Sequence, residues 1–177
     1  TSRDQFDLFP SITLSQKIGE TENVSLSYSR KVRRPGYREL SPVVRTISPV
    51  FYRVGNPDLN SEFINSFELN FVKFFTTFSV IPSVFYRLTT DKITSYSTLI
   101  DSNISLNTSI NADKEISYGA EILLNGAFSK SFSLNGSISY YTQEISSDTI
   151  GNNSSNTFSG RAFANYNLPF DAGIQLT

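Results

Sequence analysis

The most regular feature of this chain is an alternation of apolar and small polar residues. In the segment FSLNGSISY, which runs from Phe132 to Tyr140, nearly every second residue is apolar, and residues 12–15 and 24–29 repeat the pattern. A period of two is typical of a β-strand with two different faces, whereas an amphipathic helix repeats every 3.6 residues. No stretch of about a dozen residues has the helical spacing. We therefore predict an all-β chain.

Turn residues divide the chain into about eight long strands. We predict strands over residues 8–18, 23–30, 62–74, 78–99, 104–128, 132–146, 157–167 and from 172 onward. The connections 19–22, 75–77, 129–131 and 168–171 are short enough for tight hairpins, whereas 31–61 and 147–156 are long and 100–103 is intermediate. Short and long connections alternate, as they do where antiparallel strands run up and down through a bilayer. We predict an antiparallel up-and-down meander that forms part of a transmembrane β-barrel.

The chemistry of the two strand faces also favours a membrane barrel. Strands of about 9–11 residues already cross a bilayer at a barrel's tilt, and several predicted strands are longer. Their polar positions carry Ser, Thr and Asn instead of the charged residues of a soluble surface. We expect the apolar positions to face lipid and the polar positions to face the barrel lumen. The lipid-facing examples are Val24, Leu26, Leu134 and Ile138, and the lumen-facing ones are Ser25, Ser27, Ser133, Asn135, Ser137 and Ser139.

Aromatic residues make up 14% of the chain, and all are Phe or Tyr. Many lie toward the ends of the predicted strands, where an aromatic girdle meets the two membrane surfaces. The residues expected in these girdles are Phe9, Tyr28, Phe74, Phe78, Phe128, Phe132, Tyr140, Tyr166 and Phe170.

Composition argues against an enzyme. The 177 residues include no His and no Cys, which removes Cys/His zinc sites and the usual nucleophile and base pairs. Nothing in the sequence places two of Glu115, Glu121 and Glu144 across a substrate, as glycoside hydrolysis requires. The oxygen-rich segments 101–103 and 148–153 match no known calcium loop and are interpreted as turns. We expect no catalytic residue, no metal and no cofactor.

Two further features of the sequence bear on signal peptides and membrane-spanning helices. It does not begin with a charged segment followed by an apolar one, and it has no run of roughly 18 apolar residues. We therefore expect neither a signal peptide in these residues nor a membrane-spanning helix.

Several motifs resemble those of TonB-dependent outer-membrane receptors. They are YSRKVRRPGYRELSP at 28–42, GNPDL at 55–59 with Glu62, NSFELNF at 65–71 and SYGAEI at 117–122. The resemblance covers nearly the whole chain. The spacing of the motifs suits the C-terminal half of the receptor barrel. It is greatest to receptors with an N-terminal carboxypeptidase-regulatory-like domain.

The resemblance implies a barrel of about 22 strands with a plug in its lumen, which imports a scarce nutrient with energy passed from TonB. Residues 1–177 would then be one domain, a fragment of such a barrel in the bacterial outer membrane, with 31–61 as a long extracellular loop. The implied partners are outer-membrane lipid, the remaining barrel strands, the plug domain, and TonB through segments absent here. The ligand stays open among siderophore, vitamin, peptide and glycan.

Basic charge is concentrated in the long loop, where residues 30–53 hold seven of the fifteen Lys and Arg residues. These side chains could bind an anionic ligand or lipopolysaccharide phosphates, or they could pair with lumen carboxylates. The ligand or loop candidates are Arg33, Arg34, Tyr37, Arg38, Arg45 and Arg53, and the predicted lumen-facing carboxylates are Glu62, Glu68 and Glu121. The net charge of −1 argues against nucleic-acid binding.

Two other architectures fit the same patterns. One is a complete barrel of eight strands that acts as a passive pore or membrane anchor. The other is a soluble β-sandwich for adhesion or carbohydrate binding, in which the apolar strand faces pack against each other.

Overall fold

A computed structural model describes residues 7–170 and 172–176. Its strands are β1 (Ser11–Lys17), β2 (Glu22–Arg33), β3 (Arg45–Ser48), β4 (Phe51–Arg53), β5 (Glu62–Phe74), β6 (Phe78–Asp101), β7 (Ile104–Ala127), β8 (Phe132–Ser146), β9 (Asn153–Leu168) and β10 (Ala172–Leu176). A single helical turn, α1 (Tyr37–Leu40), lies between β2 and β3.

Eight of the strands form the predicted meander. Their order in the sheet is β1-β2-β5-β6-β7-β8-β9-β10, and each neighbouring pair is antiparallel. The bounds predicted for β5 and β8 are those observed. β2 extends to Arg33, and β9 begins at Asn153, four residues before the predicted start. Residues 31–33 pair with β5, and residues 153–156, which include no apolar residue, pair with β8, so pairing with the neighbouring strand decides their conformation. Of the predicted hairpin at 168–171, Asp171 lies outside the described residues.

The long connection predicted over residues 31–61 contains short elements that the sequence pattern did not predict. The segment contains α1 and the hairpin of β3 and β4, and β4 also pairs in parallel with the start of β7. Elements of three and four residues are too short to show a period in the sequence, and tertiary contacts stabilise them.

The register places apolar side chains of neighbouring strands on one common face. Directly opposed residues share a face, and the opposed pairs include Leu26 with Leu69 and Ile122 with Ile138. Leu26, Leu69, Ile122 and Ile138 are about half exposed. The other face carries the Ser and Asn residues of the alternation. In the described part of the chain no second sheet covers the apolar face, which argues against the β-sandwich.

Two rows of aromatic residues border this apolar face. The first row is Tyr28, Phe67, Tyr86, Tyr118, Tyr140 and Phe158, and the second is Phe75, Phe78, Phe128, Phe132 and Tyr166. On β6, β8 and β9 the two rows are eight residues apart. At about 3.3 Å per residue and a tilt of about 40°, this spacing corresponds to a band about 20 Å high, close to the apolar band of a membrane barrel.

The first row does not lie at strand ends, contrary to the prediction. β6 continues from Tyr86 to Asp101, and β7 begins at Ile104, well before Tyr118. These strands therefore extend far beyond the aromatic row as a long hairpin. Phe74 is opposed to Ser79 and lies on the polar face, so its predicted place in a girdle is also wrong.

In the described part of the chain, no helix has the length and the hydropathy that are needed to cross a membrane.

Candidate functional site

Residues 34–61, which we call the connecting loop, fold against the extended β6–β7 hairpin. The backbone N–H of Val54 donates a hydrogen bond to the Asn107 carbonyl at 3.0 Å, and the Ser105 N–H donates to the Val50 carbonyl at 2.9 Å. Asn107 also uses its side-chain amide to donate to the Ser97 hydroxyl at 2.9 Å. The loop is thus held by backbone bonds of the kind that join strands.

Gly55 allows two parts of the connecting loop to touch through their backbones. Its N–H donates to the Ser41 carbonyl at 2.9 Å, and the Asn56 N–H donates to the Glu39 carbonyl at 2.6 Å. A Cβ atom at Gly55 would lie 2.6 Å from the Ser41 carbonyl oxygen and 2.7 Å from that of Glu39. The glycine is required here by close approach.

The residues after Gly55 attach the end of the loop to β7. The Asn56 side chain donates to the Ser109 carbonyl at 3.2 Å and accepts from the Asp58 N–H at 3.0 Å, which forms a tight turn. Leu59 is buried, with 5% of its surface exposed. The Asn111 side chain accepts from the Asn60 N–H at 2.9 Å. Gly55, Asn56, Asp58 and Leu59 of the GNPDL motif therefore each have a structural role.

An ion pair closes the base of the connecting loop. Arg33 at the end of β2 is directly opposed to Glu62 at the start of β5, and their side chains are 3.2 Å apart. The same Glu62 oxygen accepts from the Ile93 N–H at 2.7 Å, and Glu62 is almost fully buried. Arg33 also contacts Glu39 at 2.6 Å. One arginine thus joins the loop to both strands that carry it.

Glu39 is fixed within the loop as an anion. Its second carboxylate oxygen accepts from the Gly36 N–H at 2.7 Å. This bond, and then the Arg33 guanidinium, hold the pKa of Glu39 below its usual value, although partial burial opposes them.

The remaining loop candidates, four arginines and one tyrosine, occupy different surroundings. Arg34 lies 3.7 Å from Asp7, and Tyr37 is largely exposed. Arg38 and Arg53 line one cleft between the loop and the β6–β7 hairpin. Arg45 is directly opposed to Arg53 in the β3–β4 hairpin. The six candidates therefore do not form a single site.

Glu62, Glu68 and Glu121 all lie on the polar face of the sheet. Glu68 accepts from the Asn70 amide at 2.8 Å. Glu121 borders a small recess that Glu68 and Arg87 also line. Of the carboxylates predicted to meet the loop arginines, Glu62 alone does so within the described ranges.

A family model described as the outer membrane protein beta-barrel family matches residues 1–177, the whole chain. The chain belongs to this family. The barrel fold and the location in the bacterial outer membrane, both predicted from the sequence, are thereby confirmed.

Solved structures of outer-membrane proteins have the same fold. The siderophore receptor PirA from Pseudomonas aeruginosa is 17% identical, with a TM-score of 0.66 over 94% of this chain and 37% of that chain. The copper transporter OprC is 14% identical, with a TM-score of 0.64 over 88% and 24%. The FrpB iron transporter from Neisseria meningitidis is 13% identical, with a TM-score of 0.51 over 90% and 32%. The chain therefore spans well under half of these proteins. The comparison with curated proteins returns no match.

Membership of an outer-membrane barrel family assigns the two faces of the sheet. The apolar face with its aromatic rows faces lipid, and the polar face lines the barrel interior. Gly119 of the SYGAEI motif lies on the polar face between Phe85 and Tyr141, whose rings are 6.3 Å apart. A Cβ atom there would meet the Tyr140 carbonyl and the Tyr141 side chain. Only glycine lets these neighbours approach, which explains the motif in this barrel protein.

Some residues of the site were not found from the sequence. Asn107 and Asn111 anchor the loop, yet asparagine is common in turns and strands of this chain and carries no distinguishing pattern. The segments 101–103 and 148–153 include turns, as expected, with the Ser102 N–H bonded to the Asp101 carboxylate at 2.7 Å. In the two described ranges no three acidic side chains gather as metal ligands.

Proposed function

We propose that this chain forms part of the wall and one outer loop of a TonB-dependent receptor that actively imports a nutrient. The cargo would be a siderophore, vitamin, peptide or glycan. Its partners would be outer-membrane lipid, the remaining barrel strands, a plug domain and TonB, the last through segments outside these residues. The connecting loop carries the proposal, because the receptor-like motif residues are the ones that fix it against the extended hairpin.

The edges of the sheet support a larger barrel. Within the described residues, β1 and β10 each pair with one strand only and not with each other. Unpaired backbone groups are costly in hydrocarbon, so both edges require additional strands. A complete barrel of these eight strands would instead join β1 to β10. The receptor therefore accounts for the open edges better than a small passive pore does.

The loop contributes structure to this receptor, and part of its basic charge remains available. Arg33 is engaged by two carboxylates and Arg34 lies near another, so we assign them to loop structure. Arg38, Arg45 and Arg53 are the stronger ligand candidates. We propose no catalytic role, no cofactor and no nucleic-acid partner, because the contacts of the loop serve packing and the family is one of barrels.

Uptake by the full-length protein in a Gram-negative host tests the proposal. Cells with and without the gene would be given a labelled ferric siderophore, vitamin, peptide pool or oligosaccharide pool. We expect gene-dependent uptake of one class, and its loss on deletion of TonB or addition of a protonophore. Uptake that needs neither TonB nor the proton gradient would contradict active import and favour a pore.

A further inference from the structure

Arg45 and Arg53 are an unusual pair in the β3–β4 hairpin. They are directly opposed across the two strands, where Cβ atoms are about 5 Å apart and like charges destabilise the pairing. Among the described residues, neither guanidinium has a carboxylate within ion-pair distance. Two neighbouring cations without a countercharge leave a local excess of positive charge.

Arg53 also lines a cleft, and a third arginine, Arg38, lines the same cleft. Arg38 from α1 and Arg53 from β4 line it together with the polar residues Ser95, Asn107, Thr108 and Ser109 of the β6–β7 hairpin. The cavity has a volume of about 190 Å³. Pockets for drug-sized ligands measure about 300–1,000 Å³, so this cleft suits a single small group.

The one acidic residue along the cleft is already engaged. Glu39 uses one oxygen for Arg33 and the other for the Gly36 N–H. Arg38 and Arg53 also have no ion-pair partner in the part of the chain that the structure describes. The cleft therefore has net positive charge and donors in excess of acceptors.

The cleft is held in shape before any ligand binds. The backbone bonds of Val54 to Asn107 and of Gly55 to Ser41 fix the segment that follows Arg53. Asn107 is buried and bonded to Ser97. A prearranged site loses less conformational entropy on binding than a mobile loop does.

We propose that Arg38 and Arg53, with Arg45 adding to the local field, bind a phosphate or carboxylate group in this cleft. Guanidinium groups match the planar, bidentate geometry of such oxyanions. The group would belong either to a free solute or to lipopolysaccharide. The site does not depend on the proposed transport, because binding alone is measured below.

Binding of pyrophosphate and of lipopolysaccharide to the full-length protein in detergent tests this site. Isothermal titration calorimetry at low salt would compare the natural protein with R38Q/R53Q. We expect at least one probe to bind, about tenfold or more weakly in the variant, since each charge-assisted bond contributes substantially. Binding of pyrophosphate indicates a free solute, and binding of lipopolysaccharide alone indicates the lipid source.

Matched controls separate the site from general charge. Lys130→Gln removes one positive charge in the turn between β7 and β8, at the opposite end of the sheet from the cleft, and should leave the affinity unchanged. R45Q should weaken binding by a smaller factor than R38Q/R53Q. Failure of both probes to bind the natural protein, or equal binding by R38Q/R53Q with its heat-resistant mobility on gels retained, would overturn the proposal.

Discussion

Arg33 and Glu62 face each other where β2 leaves the sheet and β5 re-enters it, with their side chains 3.2 Å apart. Glu62 is 2% exposed and also accepts the Ile93 N–H, whereas the Arg33 side chain is 44% exposed. The pair therefore joins both ends of the connecting loop to β6. The pair stabilises the fold mainly because it gives hydrogen-bond partners to buried polar groups. The charge attraction itself adds less, because solvent screens the exposed side of the arginine.

Replacing Glu62 with Ala should loosen the connecting loop. The change leaves the buried Ile93 N–H without its acceptor and removes one partner of Arg33, which costs about 1–3 kcal/mol of local stability. Amide hydrogen exchange would show faster exchange in residues 34–61 and little change in β8 and β9. Glu62→Gln, which retains an acceptor, should have an intermediate effect. Glu68→Ala is the matched control, and an equal effect from it would contradict this role of Glu62.

Gly55→Ala should displace the same loop for a different reason. The added methyl group would lie within 2.7 Å of backbone atoms of Glu39 and Ser41, which have little freedom to move. Gly160→Ala places its methyl group 3.7 Å from its nearest neighbour and should be tolerated. Limited proteolysis of the folded protein would reveal the difference as cleavage within residues 34–61. Equal protection of the two variants would show that Gly55 is not required by close approach.

Acid should weaken the loop through Glu39. Its pKa is lowered by the Gly36 N–H and by Arg33, so the ionised form is favoured in the folded loop. This contribution is fully present above the ordinary pKa of about 4.5 and is lost as the pH falls through the lowered value. After correction for the intrinsic pH dependence of amide exchange, residues 36–41 should lose protection as the pH falls below 4.5. Glu39→Gln should remove most of that dependence, and an unchanged dependence would assign it to another group.

A strand of this fold can be predicted from the sequence when its alternation of apolar and polar residues is long. In β5 and β8, apolar and polar residues alternate over many positions, and both strands were predicted with their observed bounds. The alternation is long because one face of each strand lies in lipid, which requires an apolar residue at every second position. β3, β4 and α1 were missed, because a few residues show no period and their conformation depends on contacts with β7 and with Gly55. Phe67, Tyr86, Tyr118 and Phe158 of the first aromatic row were missed for a related reason, since the strands continue beyond the membrane surface.

Some residues of the site could be predicted from the sequence, but their roles and partners could not. The motif residues Gly55, Leu59 and Glu62 could be singled out by resemblance, but their roles in close approach, burial and ion pairing required coordinates. Charge grouped five arginines of the loop, although pairing separates Arg33 from Arg38 and Arg53. Asn107 and Asn111 act through partners that are close only in the folded hairpin.

A charged residue on the apolar face should be costly, whereas its neighbour on the polar face should be tolerated. Ile138 lies between the aromatic rows, so Ile138→Arg should destabilise the barrel by about 2–4 kcal/mol. Ser139→Arg in the same strand points to the interior and should cost much less. Urea unfolding in lipid vesicles measures both. A larger loss for Ser139→Arg would reverse the assigned faces.

The most direct test of the lipid-facing surface is a nitroxide scan along β8. The chain has no cysteine, so single cysteines at positions 134–141 can be labelled individually in the full-length protein after removal of any others. In lipid vesicles, positions 134, 136, 138 and 140 should be accessible to oxygen, and 135, 137, 139 and 141 to a water-soluble nickel reagent. Accessibility without this period of two, or with the opposite phase, would contradict the account.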